Sequence, residues 1–258
     1  MRLMKRILSA AAVLALSASL LVGCSSGTAS SVPVSASSAA ESTVSSVEET
    51  ASSAVDENEA AAAQLLNALP GSYQDLGPVK LADEYKQTWL DDCTALVGED
   101  NAEAAFEKLS SMVTGDVYGE DAVKAYANGG GAYFCGFTNS LATLTFDGET
   151  STISGTDKDG NVLFSHTYHY IGMEPVRGLY EFESDDADSG EFTYFFLAPD
   201  TSAETYHIEF RYGSDADALS QYDAGDYAYW LASGISTDCD QTMIDNCIEL
   251  FCTENLAG

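Results

Sequence analysis

The order of apolar and polar positions divides the chain into stretches of different character. A basic head at Arg2, Lys5 and Arg6 precedes a largely apolar run from Ile7 to Val22. That run is short for a membrane-spanning helix and has the layout of a secretory signal, residues 1–23. From Cys24 to about Ala63 no apolar period is sustained and no aromatic residue occurs. Such a stretch buries too little surface to offset chain entropy, so 24–63 reads as a flexible Ser/Ala-rich tether with weak helix only near Glu59-Ala60-Ala61-Ala62-Ala63.

Beyond the tether the pattern is helical, then period two. Leu81, Tyr85 and Trp89 lie at i, i+4 and i+8 on one helix face. Asn101 reads as an N-cap for a helix carrying Phe106, Leu109 and Met112, and a third short helix is expected from Glu120 to Ala127, stopped by Gly129-Gly130-Gly131. After the glycines come alternating runs: Ala132–Phe137, Leu141–Phe146, Asn161–Ile171, Val176–Ser184, Glu191–Leu197 and Thr205–Tyr212. Asp147-Gly148 and Asp159-Gly160 are hairpin signals that favour type I′ turns. Short pieces follow around 217–234, then a helix from about Asp240 to Asn255, capped by Ser236 or Thr237, with Ile244, Ile248 and Phe251 on one face. The predicted class is α+β and mainly antiparallel β. A curled meander or small barrel spans about 131–234, with N-terminal helices over about 64–128 and a C-terminal helix over about 237–255.

Composition narrows the function classes. The chain holds 41 Asp+Glu against 10 Lys+Arg. Residues 1–23 hold three of the ten basic residues and no acidic one, which leaves 7 against 41 and a net charge of −34 for the rest. Such a surface repels nucleic acid and anionic lipid and gathers cations nearby, besides keeping the protein soluble. Cys93, Cys135, Cys239, Cys247 and Cys252 form no C-x-x-C pair, which excludes a thiol redox motif or zinc ribbon. They read either as buried free thiols or as including one disulfide that joins the C-terminal helix to the body. Asp157, Asp159 and Asn161 are spaced as the first three ligands of a calcium loop, but Val162 stands where the turn needs Gly and Tyr168 where it needs Glu. No G-x-S-x-G, P-loop or H-E-x-x-H occurs, and the only histidines are His166, His169 and His207. No catalytic constellation is present, and an enzyme is not expected.

Two resemblances add to this reading. Leu21-Val22-Gly23-Cys24 resembles the bacterial lipobox. The resemblance implies that Cys24 is acylated and anchors the mature chain to the outer face of the cell membrane, and the tether's length suits a Gram-positive wall better than a periplasm. The stretch Leu141–Tyr229 resembles the ZinT family of zinc-binding proteins of calycin (lipocalin-like) barrel fold. That domain also ends the AdcA-type zinc-uptake lipoproteins. The resemblance rests on the aromatic strand through Tyr168-His169-Tyr170, on Val176-Arg177-Gly178-Leu179-Tyr180-Glu181, on Phe195-Phe196-Leu197-Ala198-Pro199, and on His207-Ile208-Glu209-Phe210. It implies a zinc site whose three histidine positions fall here on Phe195, His207 and Glu209. The loop from Asp200 to Tyr206 is slightly longer than the family's, and the histidine-rich segment that some members carry is absent.

His207 and Glu209 lie two apart on an expected strand and so share a face, where imidazole and carboxylate are ordinary zinc ligands. A third ligand would come from His169, His166 or an acidic residue. Within their strand, His166 shares a face with Phe164 and Tyr168, and His169 with Thr167 and Ile171. The expected function is capture of zinc or another divalent ion at the cell surface and its delivery to an uptake transporter or its solute-binding protein. The rival expectation is a barrel that holds a small organic ligand among Phe195, Tyr168, Tyr170, Tyr180 and Phe182, with no metal site.

Overall fold

Eight short strands pair edge to edge until the sheet closes on itself. In the computed structural model, which describes residues 57–69, 71–115 and 134–256, these are β1 (Ser72–Asp75), β2 (Thr143–Asp147), β3 (Thr152–Thr156), β4 (Val162–Met173), β5 (Tyr180–Ser184), β6 (Tyr194–Leu197), β7 (Ile208–Gly213) and β8 (Ala232–Ser236). Each pairs antiparallel with the next, and β8 returns to β1 through Tyr73↔Ser236 and Gln74↔Ile235. The result is a closed antiparallel barrel accompanied by helices towards both ends of the chain, the α+β small barrel that the meander predicted and the calycin-like architecture that the family resemblance implied. The signal segment, Cys24, the tether up to residue 56, the helix expected at Glu120–Ala127 and the glycine run after it lie outside the described residues.

Aromatic side chains fill the lumen. Phe195 on β6 is fully buried, with the rings of Tyr168 and Tyr212 5.4 Å away, Phe164 at 5.8 Å and Phe210 at 6.3 Å, centroid to centroid. At these separations rings stack or meet edge to face and leave no room between them. Gly155 on β3 belongs to this packing, because a Cβ there would collide with Phe164 and Leu141.

Helix α1 (57–68) begins inside the stretch read as tether. Its buried residues Ala62, Leu65 and Leu66, followed by Leu69, repeat at i, i+3, i+4 and i+7 and join the lumen core. The Ala-rich composition hides this stripe, since only three of the four residues are large. A second core lies outside the barrel wall. There α2 (Leu76–Lys80), a 3-10 turn (Asp83–Tyr85), α3 (Lys86–Val97), α4 (Glu99–Thr114) and the C-terminal helix α7 (Gln241–Leu256) bury Trp89, Cys93, Leu109, Ile248 and Cys252 together with Ile235 from β8. Two single-turn helices, α5 (Ser202–Thr205) and α6 (Ala216–Leu219), flank β7.

Several local expectations are revised. Leu81 caps α2 instead of opening the Tyr85–Trp89 helix. Gly98, at φ +84°, ends α3 and starts α4, and Asn101 bonds back to the Val97 carbonyl at 3.0 Å rather than acting as an N-cap. Asp240, not Ser236 or Thr237, caps α7 by accepting from the Met243 N–H at 2.9 Å. The Asp147-Gly148 connection is a four-residue loop, 148–151, and not a two-residue turn. In the β3–β4 loop Asp157 accepts from the N–H groups of Asp159 and Asn161 and from the Asn161 side chain, each at 2.9 Å. That carboxylate therefore closes a hairpin, as Asx turns do. Of the expected Ala132–Phe137 strand, 132 and 133 lie outside the described residues, and among the rest Phe134 makes isolated bridges to Thr114 and Trp230 in place of a strand.

Candidate functional site

The turn before β7 sets the position of His207. Thr201 and Glu204 form a reciprocal capping box on α5, and Tyr206 takes a left-handed conformation at φ +67°. The chain reverses there, so His207 stands immediately before β7 and not within it. Its Nδ1 lies 2.8 Å from the Thr205 carbonyl oxygen. A carbonyl can only accept, so Nδ1 carries the proton and donates. Nε2 is left facing Glu209, with Oε1 at 3.5 Å.

Strand alternation decides which side of the wall this pair occupies. Phe210 and Tyr212 point into the lumen, so Glu209 points outward, beside its register partner Ser233 on β8. Outside the wall, beneath α2 and α7, lies a cavity of about 230 Å³ that His207 and Glu209 line with Lys80, Cys135, Cys247 and Glu254. Arg177 reaches the same cavity from the turn before β5, where the Glu174 carboxylate holds the Val176 and Arg177 N–H groups at 2.6 and 2.7 Å.

The charges in this cavity are coupled. Burial alone would lower the His207 pKa, but hydrogen bonds to Cys247 and Glu209, with the charge of Glu209, push it up to about 10. Burial opposes the charged form of Glu209, but the hydrogen bond and charge of His207, then Arg177 and Lys80, hold its carboxyl below the ordinary range. Asp200 and Glu254 go the other way: desolvation and then the charge of Glu209 raise both. Lys80 is 2% exposed. Its ammonium lies 3.8 Å from the Phe251 ring centroid, and burial lowers its pKa. Among the described residues no carboxylate lies within ion-pair distance of it, and the charges of Glu209, Asp75 and Glu254 act on it from farther away.

The other predicted site residues are elsewhere. His166 on β4 bonds Asp186 at 2.8 Å, and His169 bonds Asp185 at 2.7 Å. Neither joins His207 and Glu209. Phe195, at the position the resemblance gives to the first zinc histidine, faces the lumen and not this cavity. Among the described residues no three His, Cys, Asp or Glu side chains stand as a group ready to hold a metal ion. Sequence reasoning missed Cys247, Lys80 and Glu254. The sequence carried one signal for two of them: Cys247, Phe251 and Glu254 follow at i, i+4 and i+7 on one face of α7.

Cys247, His207 and Glu209 also resemble, by type, a nucleophile, a base and a carboxylate. A catalytic relay needs thiol and carboxylate on opposite ring nitrogens. Here Nδ1 is committed to the Thr205 carbonyl and Glu209 is on the Nε2 side. The relay is not formed.

No family model and no curated protein matches the chain. Among solved structures it is similar to the Zn(II)-bound ZinT-like domain of Streptococcus pneumoniae AdcA, with TM-score 0.47 and 14% identity over 72% of this chain and 89% of that one. It is also similar to Zn(II)-bound AdcA from Streptococcus pneumoniae, with TM-score 0.44 and 14% identity over 72% of this chain and 35% of that one. The first carries the family name to which the segments between Leu141 and Tyr229 pointed, and this chain spans about a third of full AdcA. The barrel itself rests on its own strand register, described above.

Proposed function

We propose that this protein binds a divalent cation of the zinc class in the cavity between β7 and α7, with His207 Nε2 and Glu209 as ligands and Cys247 as the third donor. The observation that carries this is the orientation of His207. Its Nδ1–H is pinned by the Thr205 carbonyl at 2.8 Å, which fixes tautomer and ring plane as an outer-shell partner does for a metal-bound histidine. Nε2, which holds a proton toward Glu209 until a metal displaces it, then looks toward Glu209 and Cys247. Nitrogen, oxygen and sulfur donors together suit zinc better than calcium or magnesium. Closing the set requires Cys247 or Glu254 to rotate in, and such an open sphere suits cargo that must be released.

In the wider reading Cys24 carries a lipid and holds the barrel outside the cell membrane on the N-terminal tether. The domain collects the ion there and hands it to an uptake transporter or its solute-binding protein. A second reading rests on Lys80 and Arg177, two cations on one cavity of an acidic protein, which suit a small organic anion.

Titration of the metal-stripped full chain with zinc in a calorimeter separates the two. Saturable binding at one site is expected, weakened roughly tenfold or more by His207→Ala or Glu209→Ala, since even outer-shell losses cost that much. Saturable binding that survives both changes would assign the ion to the acidic surface instead. A heat of binding with acetate or citrate but none with zinc would favour the second reading.

A further inference from the structure

Two buried thiols face each other across the helix layer. Cys93 on α3 and Cys252 on α7 are both fully buried, and their Sγ atoms lie 4.0 Å apart although 159 positions separate them in the chain. No other pair of cysteine side chains among the described residues is in hydrogen-bonding contact. A bond needs the two sulfurs about 2 Å closer, a gap that rotation of the two side chains about χ1 narrows.

The same interface carries a destabilising feature. Asp92, next to Cys93, has a buried Oδ2 with no hydrogen-bond partner among the described residues. Its pKa is pushed up to about 6 by desolvation and by the charges of Glu249 and Asp245 on α7. Carboxylates on facing helices repel, so α7 is held to α3 by apolar packing and by the Thr88 hydroxyl, which donates to Asp245 at 3.3 Å, against an opposing electrostatic force. Helix α7 is also the wall that brings Cys247, Phe251 and Glu254 to the cavity.

We propose that Cys93 and Cys252 form a disulfide that fastens α7 to α3 and so fixes one wall of the cavity. The oxidant is a small-molecule or protein disulfide. Its S–S bond is cleaved by exchange, it leaves as two thiols carrying the two hydrogens, and the Cys93–Cys252 bond forms in its place. Burial raises the pKa of both thiols in the folded chain. The thiolate is the attacking species, so exchange proceeds while the chain folds, before α7 docks.

The test refolds the full chain from denaturant in a buffer of reduced and oxidised glutathione, then alkylates free thiols and maps peptides by mass spectrometry. A Cys93–Cys252 cross-linked peptide is expected, with Cys135, Cys239 and Cys247 alkylated. Reduction should lower the melting temperature of the wild-type chain by roughly 5–15 °C, as for a bond closing a long loop in a domain of this size. Cys93→Ser should lose both the peptide and the reductant-sensitive part of the melting temperature, whereas Cys239→Ser should keep both. A different pairing, or no pairing in excess oxidised glutathione, overturns the assignment. A cross-link whose reduction leaves the melting temperature unchanged overturns the bracing role.

Discussion

Phe195 and Glu209 lie on neighbouring strands, β6 and β7, and face opposite sides of one wall. On the inner side rings pack from Phe164 through Phe195 to Tyr212, and the Tyr212 hydroxyl finds its acceptor in the Thr138 carbonyl at 2.9 Å. On the outer side a cavity of about 230 Å³ holds an imidazole, a carboxylate, thiols and a buried ammonium. Barrels of eight strands are just wide enough either to be filled by side chains or to hold one small ligand. This one is filled. Its polar chemistry has been displaced to the seam between the barrel and the helix layer, where charges on β7 and α7 can be half desolvated without breaking the lumen.

A second contrast sharpens the first. Arg211, next on the outer face of β7, is fully buried. Its guanidinium donates to the Leu219 and Tyr227 carbonyls and lies 4.2 Å from the Tyr222 ring. It staples the segment after β7 to the barrel. Lys80 is buried as deeply, yet its ammonium meets two aromatic rings and, from farther away, the charges of Glu209, Asp75 and Glu254. A cation with carbonyl partners is structural. A cation that faces a cavity without them belongs to whatever occupies that cavity.

The largest effect expected from breaking the comparison is on the lumen. Phe195→Ala should cost about 3–5 kcal/mol of stability in denaturant unfolding, the range for emptying an aromatic core position. Once corrected for the folded fraction, zinc affinity should be unchanged. Phe195→His, which the family resemblance would read as restoring a ligand, should destabilise and leave affinity where it was. An imidazole there meets rings and no metal. A gain in affinity from Phe195→His would show that the wall is read the wrong way round.

Changes on the outer face should do the opposite. His207→Ala and Glu209→Ala should lose zinc binding by roughly tenfold or more while shifting unfolding free energy by about 1 kcal/mol, the usual size for a partly exposed pair. A loss of stability as large as that of Phe195→Ala would mark the pair as a structural ion pair instead of a site.

The pH dependence separates proton and metal at one nitrogen. The folded-state pKa of His207 is raised to about 10, above the unfolded value near ~6.5. The pair's contribution to stability is therefore complete below ~6.5 and is lost as pH rises through about 10. Zinc must displace the same proton, so affinity should rise by about one decade per pH unit across the neutral range, and by up to about two where Cys247 enters as a thiolate and gives up its own proton. It should not level off near the ordinary imidazole value, where the sequence alone would place the transition. Calorimetry in buffers between pH 6 and 8 tests this, and a plateau above pH 7 would mean that His207 is already neutral.

How much of this was legible beforehand follows from what each signal depends on. The meander was visible because β2 to β7 alternate over four or more residues between turn signals. β1 and β8 were not, because Ser72-Tyr73-Gln74-Asp75 has a single large apolar residue and Ala232-Ser233-Gly234-Ile235-Ser236 has small residues where alternation should show. Yet those two strands close the barrel. His207 and Glu209 were picked out and are together, at 3.5 Å. Which face they use was not legible, since period two fixes that residues share a side but not which side is the lumen. Cys247 and Lys80 come from helices distant in sequence, and only tertiary packing brings them to β7.

The smallest expected effect is the most specific to the cavity. Lys80→Met keeps the length and apolar contact of the side chain against Trp89 and Phe251, and it leaves the Lys80 carbonyl that accepts the Trp89 indole N–H at 2.7 Å untouched. The fold should be retained, and stability should stay level or rise, because a buried ammonium without a hydrogen-bond acceptor is removed. With it goes a positive charge that shares Glu209 and repels an incoming divalent ion. Across a partly desolvated cavity one unit of charge is worth on the order of a kcal/mol or more, so zinc affinity should increase about three- to tenfold. Lys80→Arg, which keeps the charge, should leave affinity at or below the wild-type value. Zinc bound more weakly by Lys80→Met would mean that the ammonium holds an anion which bridges to the metal, and that the cavity takes the two together.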